Sequence, residues 1–239
     1  MVRIVLQCVA WMGLSASGIL LNNYILNDTG FQFPLFLATA GQWFSAGALW
    51  TGHMHGCVDV RGEQNIRWSH VAARVAPISF LTALKLGFGN AVYIHLSVAF
   101  IQLLKGGVPI ITLLVMVQYK LETIRRQLLI PVLTIAIGCA ASINGEMNVR
   151  WNGMLFMAIG EASEAYKTVR TQAVMRGGAA LELSGCQTLA YTAPITASMM
   201  SIAIAVLELP KMNSDTARII LEIAPLLFMV ACISLGVNL

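Results

Sequence analysis

Lys105 is the residue whose type and setting most strongly indicate chemistry. It lies fourteen residues into an apolar run of 27 residues, Ala91 to Val117, and Gly106, Gly107 and Pro109 follow it closely. A lysine this deep in an apolar segment is costly in lipid, so it normally faces a water-filled cavity or a partner. Glycine and proline loosen a helix and let a ligand approach its backbone. The pattern predicts an anion site, because a fixed ammonium in a low-dielectric cavity attracts phosphate strongly; the alternative is a structural pair with a buried carboxylate.

Four further charges recur every three residues along a later apolar run: Glu161, Glu164, Lys167 and Arg170. On a helix they form a slowly drifting stripe in which Glu164 and Lys167 can pair. Such a stripe lines a polar cavity more often than it faces lipid, although mutual neutralisation inside a bundle is the alternative. Lys85 also leaves two interpretations open, because it can face a cavity or extend towards the membrane interface.

A polar loop between Thr51 and His70 contains His53, His55 and Cys57, three residues that can bind metals. Their spacing fits no established zinc pattern, so a solvated loop is the better interpretation. The sequence also has no phosphate-cradling glycine loop, no nucleophile elbow and no HExxH segment. We therefore expect no metal ion, no cofactor and no enzymatic activity.

The elements that hold these charges are predicted to be membrane helices. Of the 239 residues, 57% are hydrophobic and 11% are charged, whereas roughly 25% are charged in soluble domains. This composition excludes a disordered chain, a collagen and a disulfide-rich secreted module. We expect the protein to lie in a lipid bilayer and not to bind nucleic acid. Eight apolar runs are predicted to span it, at residues 2–21, 35–50, 71–88, 91–117, 128–143, 154–174, 189–207 and from 219 onwards.

Basic residues predict the orientation of these spans. If the N-terminus is cytosolic, nine Lys and Arg residues fall in cytosolic loops and helix ends, and three fall on the opposite side. Because short cytosolic loops carry an excess of Lys and Arg, the asymmetry favours a cytosolic N-terminus. The loop from Thr51 to His70 and the connector from Lys120 to Gln127 then face the cytosol.

Several segments resemble one known family. They are Asn23–Leu26, Phe31–Pro34, the long segment Leu86–Lys105, Glu164–Gln172 and Tyr191–Pro194. Together they resemble the motifs of the nucleotide-sugar and triose-phosphate translocator family, within the drug/metabolite transporter superfamily. The resemblance extends over nearly the whole chain.

The resemblance implies an all-α integral membrane fold. Members of this family are antiporters of ten helices, built as two inverted five-helix halves. Ten helices of about 20 residues with their loops need about 300 residues, so we expect about eight of the ten helices here, with the ninth and tenth absent. On this basis residues 1–239 form a single sugar phosphate transporter domain. Its first repeat is expected at 1–143 and its incomplete second repeat at 151–239.

The resemblance also implies a set of substrate-binding residues. Lys105 matches the fourth-helix lysine that holds substrate phosphate in plastid phosphate translocators, and Asn90 matches the asparagine at the end of the third helix. Lys167 falls on the basic position of the sixth-helix motif. The remaining expected contacts lie in the motif segments and are Tyr93, Gln102 and Tyr191.

The implied activity is exchange of a nucleotide sugar or sugar phosphate for a nucleotide monophosphate or inorganic phosphate. Tyr191-Thr192-Ala193 departs from the FYNN motif of GDP-mannose carriers, which disfavours that substrate. The alternative is a transport-inactive, truncated membrane protein with a scaffold or regulatory role. We expect a multi-pass protein of the Golgi or endoplasmic reticulum membrane, because no transit peptide precedes the first run. A plastid envelope is less favoured, and a homodimer is a further expectation.

The orientation gives a direct prediction. A cysteine introduced at Gln64, in a background without other cysteines, should react with an impermeant maleimide only from the cytosolic side of sealed vesicles. The reason is the nine-to-three asymmetry of basic residues. Labelling only from the lumenal side would reverse the assigned orientation.

Overall fold

The computed structural model describes residues 2–60, 68–120, 126–145, 150–175 and 184–238. Throughout these ranges the regular structure is helical, which confirms the predicted all-α class. Short 3-10 helices at Val92–Ile94 and Leu209–Lys211 connect longer elements. The α-helices are α1 (Val2–Asn27), α2 (Pro34–Met54), α3 (Trp68–Ala91), α4 (Val98–Lys105), α5 (Val108–Gln118), α6 (Arg126–Gly145), α7 (Trp151–Met175), α8 (Gly185–Leu207), α9 (Ser214–Glu222) and α10 (Ala224–Asn238).

Several of these helices are suited to crossing a bilayer. Among the described residues, four segments are long and apolar enough: Val5–Asn27, Ala73–Ile94, Val98–Gln118 and Gly185–Leu207. Helices α9 and α10, which are bent by 64° at their junction, make a fifth candidate span if the pair crosses the bilayer as one unit. Helices α2, α6 and α7 have 21, 20 and 25 residues, and about 20 residues reach the roughly 30 Å of a hydrocarbon core. Each of the eight predicted runs overlaps one of these helices or helix pairs.

The turn between the third and fourth runs lies later than the sequence predicts. The expected break at Gly89–Asn90 falls inside α3, which continues to Ala91. The chain turns instead between the 3-10 helix and Ser97, whose hydroxyl accepts a hydrogen bond from the Phe100 amide at 3.3 Å. This N-cap starts α4. Gly89 serves packing rather than turning, because its backbone lies against Gly160 of α7.

A second break places Lys105 at a helix end. The Gly106 and Gly107 amides bond to the carbonyls three residues earlier, at 3.1 and 2.9 Å, so this turn is tighter than an α-helix. Lys105 is consequently the last residue of α4, and α5 begins at Val108. The predicted glycine and proline interruption is therefore a real discontinuity in a segment that otherwise spans as one unit.

The packing of the bundle is centred on α3. This helix lies against α2, α7 and α8, and α10 packs against α1 and α2. The main core cluster joins the ends of several helices and includes the fully buried Ile25, Phe31 and Phe100. A second cluster surrounds Leu49 and Tyr191. These contacts hold Glu161, Glu164 and Lys167 of the α7 stripe inside the bundle, whereas Arg170 is exposed and its Nε donates to the Tyr119 hydroxyl at 3.2 Å.

Glu208 ties the end of α8 to the start of α2. Its two carboxylate oxygens accept hydrogen bonds from the Leu35 and Phe36 amides at 2.8 and 2.9 Å. The first amides of a helix have no partner within that helix, and a carboxylate there also suits the helix dipole. Burial raises the pKa of the Glu208 carboxyl, while the two amide donors and nearby Lys211 act in the opposite direction.

Replacing Glu208 by alanine should lower the thermal unfolding midpoint of the purified protein in detergent. A hydrogen bond to a charged group contributes about 1.5–3 kcal/mol, and about 1 kcal/mol corresponds to about 2–4 °C in a chain of this size. We expect a decrease of about 3 °C or more. Glu222→Ala is the matched control, because the Glu222 side chain is 65% exposed and pairs with Arg218 of its own helix. Equal midpoints for the two variants would show that the Glu208 contact does not stabilise the bundle.

Candidate functional site

A cavity of about 270 Å³ lies between the helices that carry the predicted charges. Its walls come from α1, α2, α3, α4, α7 and α10, together with the 3-10 helix after α3. This volume falls just below the roughly 300–1,000 Å³ typical of ligand pockets. The polar residues that line it are Ser15, Asn22, Gln42, Thr82, Lys85, Asn90, Tyr93, Lys105, Glu161, Lys167 and Ser234.

A close helix contact brings the charges of α3 and α7 together. A β-carbon built on Gly160 would lie 3.6 Å from the Gly89 nitrogen and 3.9 Å from the Lys85 carbonyl oxygen. Because neither glycine has a side chain, the two backbones approach closely at this point. The residue after Gly160 is Glu161, so the stripe of α7 begins directly beside Lys85.

Glu164 bridges two lysines. Its Oε1 lies 2.8 Å from the Lys167 Nζ on the same helix, and its Oε2 lies 3.5 Å from the Lys85 Nζ on α3. The predicted pair between Glu164 and Lys167 is confirmed. Of the two interpretations of Lys85, the structure supports the cavity, because its ammonium points to α7 and the side chain is 39% exposed.

Lys105 lines the cavity without a close counterion. Among the described residues, no carboxylate oxygen lies within 4.0 Å of its Nζ, whereas Lys85 and Lys167 each have one. Its electrostatic neighbours are Lys85, Glu161 and Glu164 at longer range. The alternative of a purely structural pair is therefore not seen in the part of the chain that the structure describes. Lys105 presents an uncompensated positive charge to the cavity.

Asn90 and Tyr93 form part of the wall and also hold the helix ends in place. The Asn90 Nδ2 donates to the Pro34 carbonyl at 3.4 Å. The Tyr93 carbonyl accepts from Asn27 Nδ2 at 3.1 Å, and the Tyr93 side chain is buried. These bonds connect the end of α3 to α1 and α2. Both side chains consequently reach the cavity from fixed backbone positions.

Two of the predicted site residues lie elsewhere. Gln102 is exposed on α4 and does not line the cavity. Tyr191 is buried in the second core cluster, where its ring packs edge-on against Trp50 with centroids 6.3 Å apart. The structure thus brings together Lys105, Asn90, Tyr93 and Lys167 and leaves Gln102 and Tyr191 outside this group.

The sequence analysis missed several polar groups of the cavity. Gln42 of α2 is buried in its wall, and Ser234 of α10 lines the cavity beside Gly41 of α2. Asn22 of α1 has a buried Oδ1 with no hydrogen-bond donor among the described residues. Its neighbour Asn23 is part of a motif segment, but nothing in the sequence indicates which of the two asparagines faces inwards.

The arrangement is suited to binding an anion. Three ammonium groups face a small cavity inside a bundle of apolar helices, and one of them lacks a close counterion. In such low-dielectric surroundings charge-assisted hydrogen bonds to an anion are strong. A metal site is not formed by the described residues, because no three His, Cys, Asp or Glu side chains converge there.

Comparison with known proteins gives consistent relatives. No family model matches the chain. Three proteins of Arabidopsis thaliana, each named "Probable sugar phosphate/phosphate translocator", are 30%, 29% and 26% identical over 206, 200 and 206 residues. These alignments cover 86%, 84% and 85% of the chain.

The relatives are longer than this chain, which spans 55%, 53% and 61% of their lengths. The relatives are named as transporters, in agreement with several helices suited to crossing a membrane. Over most of its length the chain is therefore similar to proteins named as probable sugar phosphate/phosphate translocators, which belong to the triose-phosphate translocator family of the drug/metabolite transporter superfamily.

Proposed function

We propose that this protein carries phosphate-bearing sugar metabolites across a membrane in exchange for inorganic phosphate or a nucleotide monophosphate. The observation that carries the proposal is the cationic cavity between membrane helices, in which Lys105 has no close counterion among the described residues. A buried, uncompensated ammonium is costly in a bilayer and becomes favourable when an anion binds. The names of the relatives support phosphate as the anionic group.

Within this proposal each wall residue has a distinct role. Lys105 provides the main charge for the substrate phosphate, and Lys167 adds a second ammonium that is already shared with Glu164. Asn90 and Tyr93 supply hydrogen-bonding groups at fixed positions. Asn22, whose side chain lines the cavity, adds a further hydrogen-bonding amide. Gln102 and Tyr191 lie outside the cavity and are not part of the proposed contacts.

The size of the cavity favours a sugar phosphate over a nucleotide sugar. A volume of about 270 Å³ falls just below the roughly 300–1,000 Å³ common for drug-sized ligands. A nucleotide sugar carries a base, a ribose and a diphosphate in addition to its sugar, and it would require the cavity to widen. A sugar phosphate needs only one charged group and a few hydroxyl partners. We therefore propose a sugar phosphate as the preferred substrate.

Further details of the proposal extend the sequence predictions. They are a cytosolic N-terminus, a Golgi or endoplasmic reticulum membrane, and a homodimeric assembly. The proposed internal division is a first repeat at 1–143 and a second at 151–239. Inverted repeats place a substrate site near the middle of the bilayer between the two halves. The position of the cavity, between helices from both proposed repeats, is consistent with this arrangement.

Replacing Lys105 by alanine should reduce phosphate exchange at least tenfold. The variant loses one charge-assisted contact of about 1.5–3 kcal/mol, and about 1.4 kcal/mol is a factor of ten in affinity. Lys105→Arg keeps the charge but replaces a compact ammonium by a planar group, so it should restore exchange only in part. The measurement is uptake of labelled phosphate into proteoliposomes preloaded with unlabelled phosphate or a sugar phosphate.

Lys211→Ala is the matched control, because Lys211 is an exposed lysine that does not line this cavity. It should exchange phosphate at the parent rate. If the Lys105→Ala variant inserts normally and also exchanges phosphate at the parent rate, Lys105 is not the phosphate-binding residue. Lys167 then becomes the leading candidate for that role. Phosphate binding by the parent protein without exchange would favour the alternative of a transport-inactive scaffold.

A further inference from the structure

Glu161 is a carboxylate that lines the cavity and takes no part in the proposed phosphate contacts. It lies on the wall formed by α7, one residue after the close contact between Gly160 and Gly89. Among the described residues, no ammonium or guanidinium lies within 4.0 Å of its carboxylate. A carboxylate in a site for anions opposes binding by like-charge repulsion, so its presence there requires an account.

The charges around the cavity give that account. The described residues contribute three ammonium groups, from Lys85, Lys105 and Lys167, and two carboxylates, from Glu161 and Glu164. These groups therefore give the cavity a net charge of one positive unit before an anion binds. A phosphate monoester carries about −1.5 to −2 at pH 7. A monoanion neutralises the cavity, whereas a dianion leaves one excess negative charge in a low-dielectric site.

We propose that Glu161 is a proton-binding residue of the transport site. Its carboxylate takes up one proton from water when a phosphate dianion enters the cavity, and it returns that proton to water when the dianion leaves. The O–H bond that forms brings the net charge of the occupied cavity to zero. This inference rests on the proposed phosphate transport and adds to it a defined proton stoichiometry.

The surroundings identify Glu161 rather than Glu164 as the proton acceptor. Glu164 has ammonium groups at 2.8 and 3.5 Å, which stabilise its ionised form. The ionisable groups that act on Glu161 are Lys85 from α3, Lys105 from α4, Tyr93 from the 3-10 helix, and Glu164 and Lys167 from its own helix. The polar groups of α1, α2 and α10 that line the cavity carry no charge; they are Ser15, Asn22, Gln42 and Ser234.

Other roles for the Glu161 carboxylate predict that Glu161→Gln weakens phosphate binding, whereas the proposed role predicts the opposite. If the carboxylate accepted hydrogen bonds from substrate hydroxyls, Glu161→Gln would weaken binding at every pH. If it only positioned Lys105 electrostatically, the same weakening would follow. If Glu161 is instead a proton acceptor, its ionised carboxylate weakens binding of the phosphate dianion until the carboxylate is protonated. The neutral glutamine should then bind the dianion more tightly than the parent above neutral pH.

Calorimetry of the purified full chain in detergent tests the proposal. The probe is glycerol 3-phosphate, titrated at pH 8.0 in two buffers with different ionisation enthalpies, which gives the number of protons taken up per ligand bound. The parent should take up close to one proton, and its Kd should rise by up to about tenfold per pH unit, as one linked proton requires. Glu161→Gln should take up almost none, and its Kd should stay nearly constant between pH 7.5 and 8.5.

Two control variants separate this effect from general damage. Glu161→Asp retains a carboxylate and should retain proton uptake. Glu222→Gln removes an exposed carboxylate outside the cavity and should behave as the parent. Unchanged proton uptake in Glu161→Gln would place the proton on the ligand or another residue and overturn the proposal.

The parent protein alone also tests the inference, so the result does not depend on the folding of a variant. Binding of glycerol 3-phosphate without proton uptake would overturn the role of Glu161 and leave the proposed transport intact. A parent protein that binds neither glycerol 3-phosphate nor inorganic phosphate would instead contradict the proposed function itself, and the inference with it.

Discussion

The structure depends on the cost of placing charges among apolar helices. Lipid cannot solvate an ammonium or a carboxylate, so each must turn inwards and meet either a counterion or water. Glu164 meets this requirement for two lysines at once, because it bridges Lys85 of α3 and Lys167 of α7. The pairing of α3 with α7 satisfies this electrostatic constraint, and Lys105, which has no close counterion among the described residues, meets it by lining the cavity beside the pair.

The sequence predicts those parts of the molecule that depend on composition and local spacing. Hydropathy locates the helices, because lipid requires about 20 apolar residues for each span. Helical periodicity predicts the pair between Glu164 and Lys167, which are three residues apart. The depth of Lys105 in its apolar run similarly indicates that it faces an interior cavity. All of these features follow from residues that are close together in the chain.

The features that the sequence did not predict depend on how distant helices align. The contact between Lys85 and Glu164 requires α3 and α7 to lie in one particular register, which is set by Gly89 and Gly160. Gly89–Asn90 resembled a turn because glycine and asparagine favour turns, but tertiary packing keeps both residues helical. Tyr191 belongs to a motif segment, yet its ring fills a core beside Trp50. Local sequence contains no information about these alignments.

The bonds from Glu208 to the first amides of α2 have a mechanical consequence. They attach the end of α8 to the start of α2 through a buried carboxylate, so these two helix ends cannot separate without exposing unpaired groups. The opposite ends of α2 and α8 have no such shared carboxylate among the described residues. Those ends are held instead by apolar packing and by a hydrogen bond from the Trp50 Nε1 to the Ala190 carbonyl at 3.2 Å, so the two helices are fastened by a buried charge at one end and by ring packing near the other.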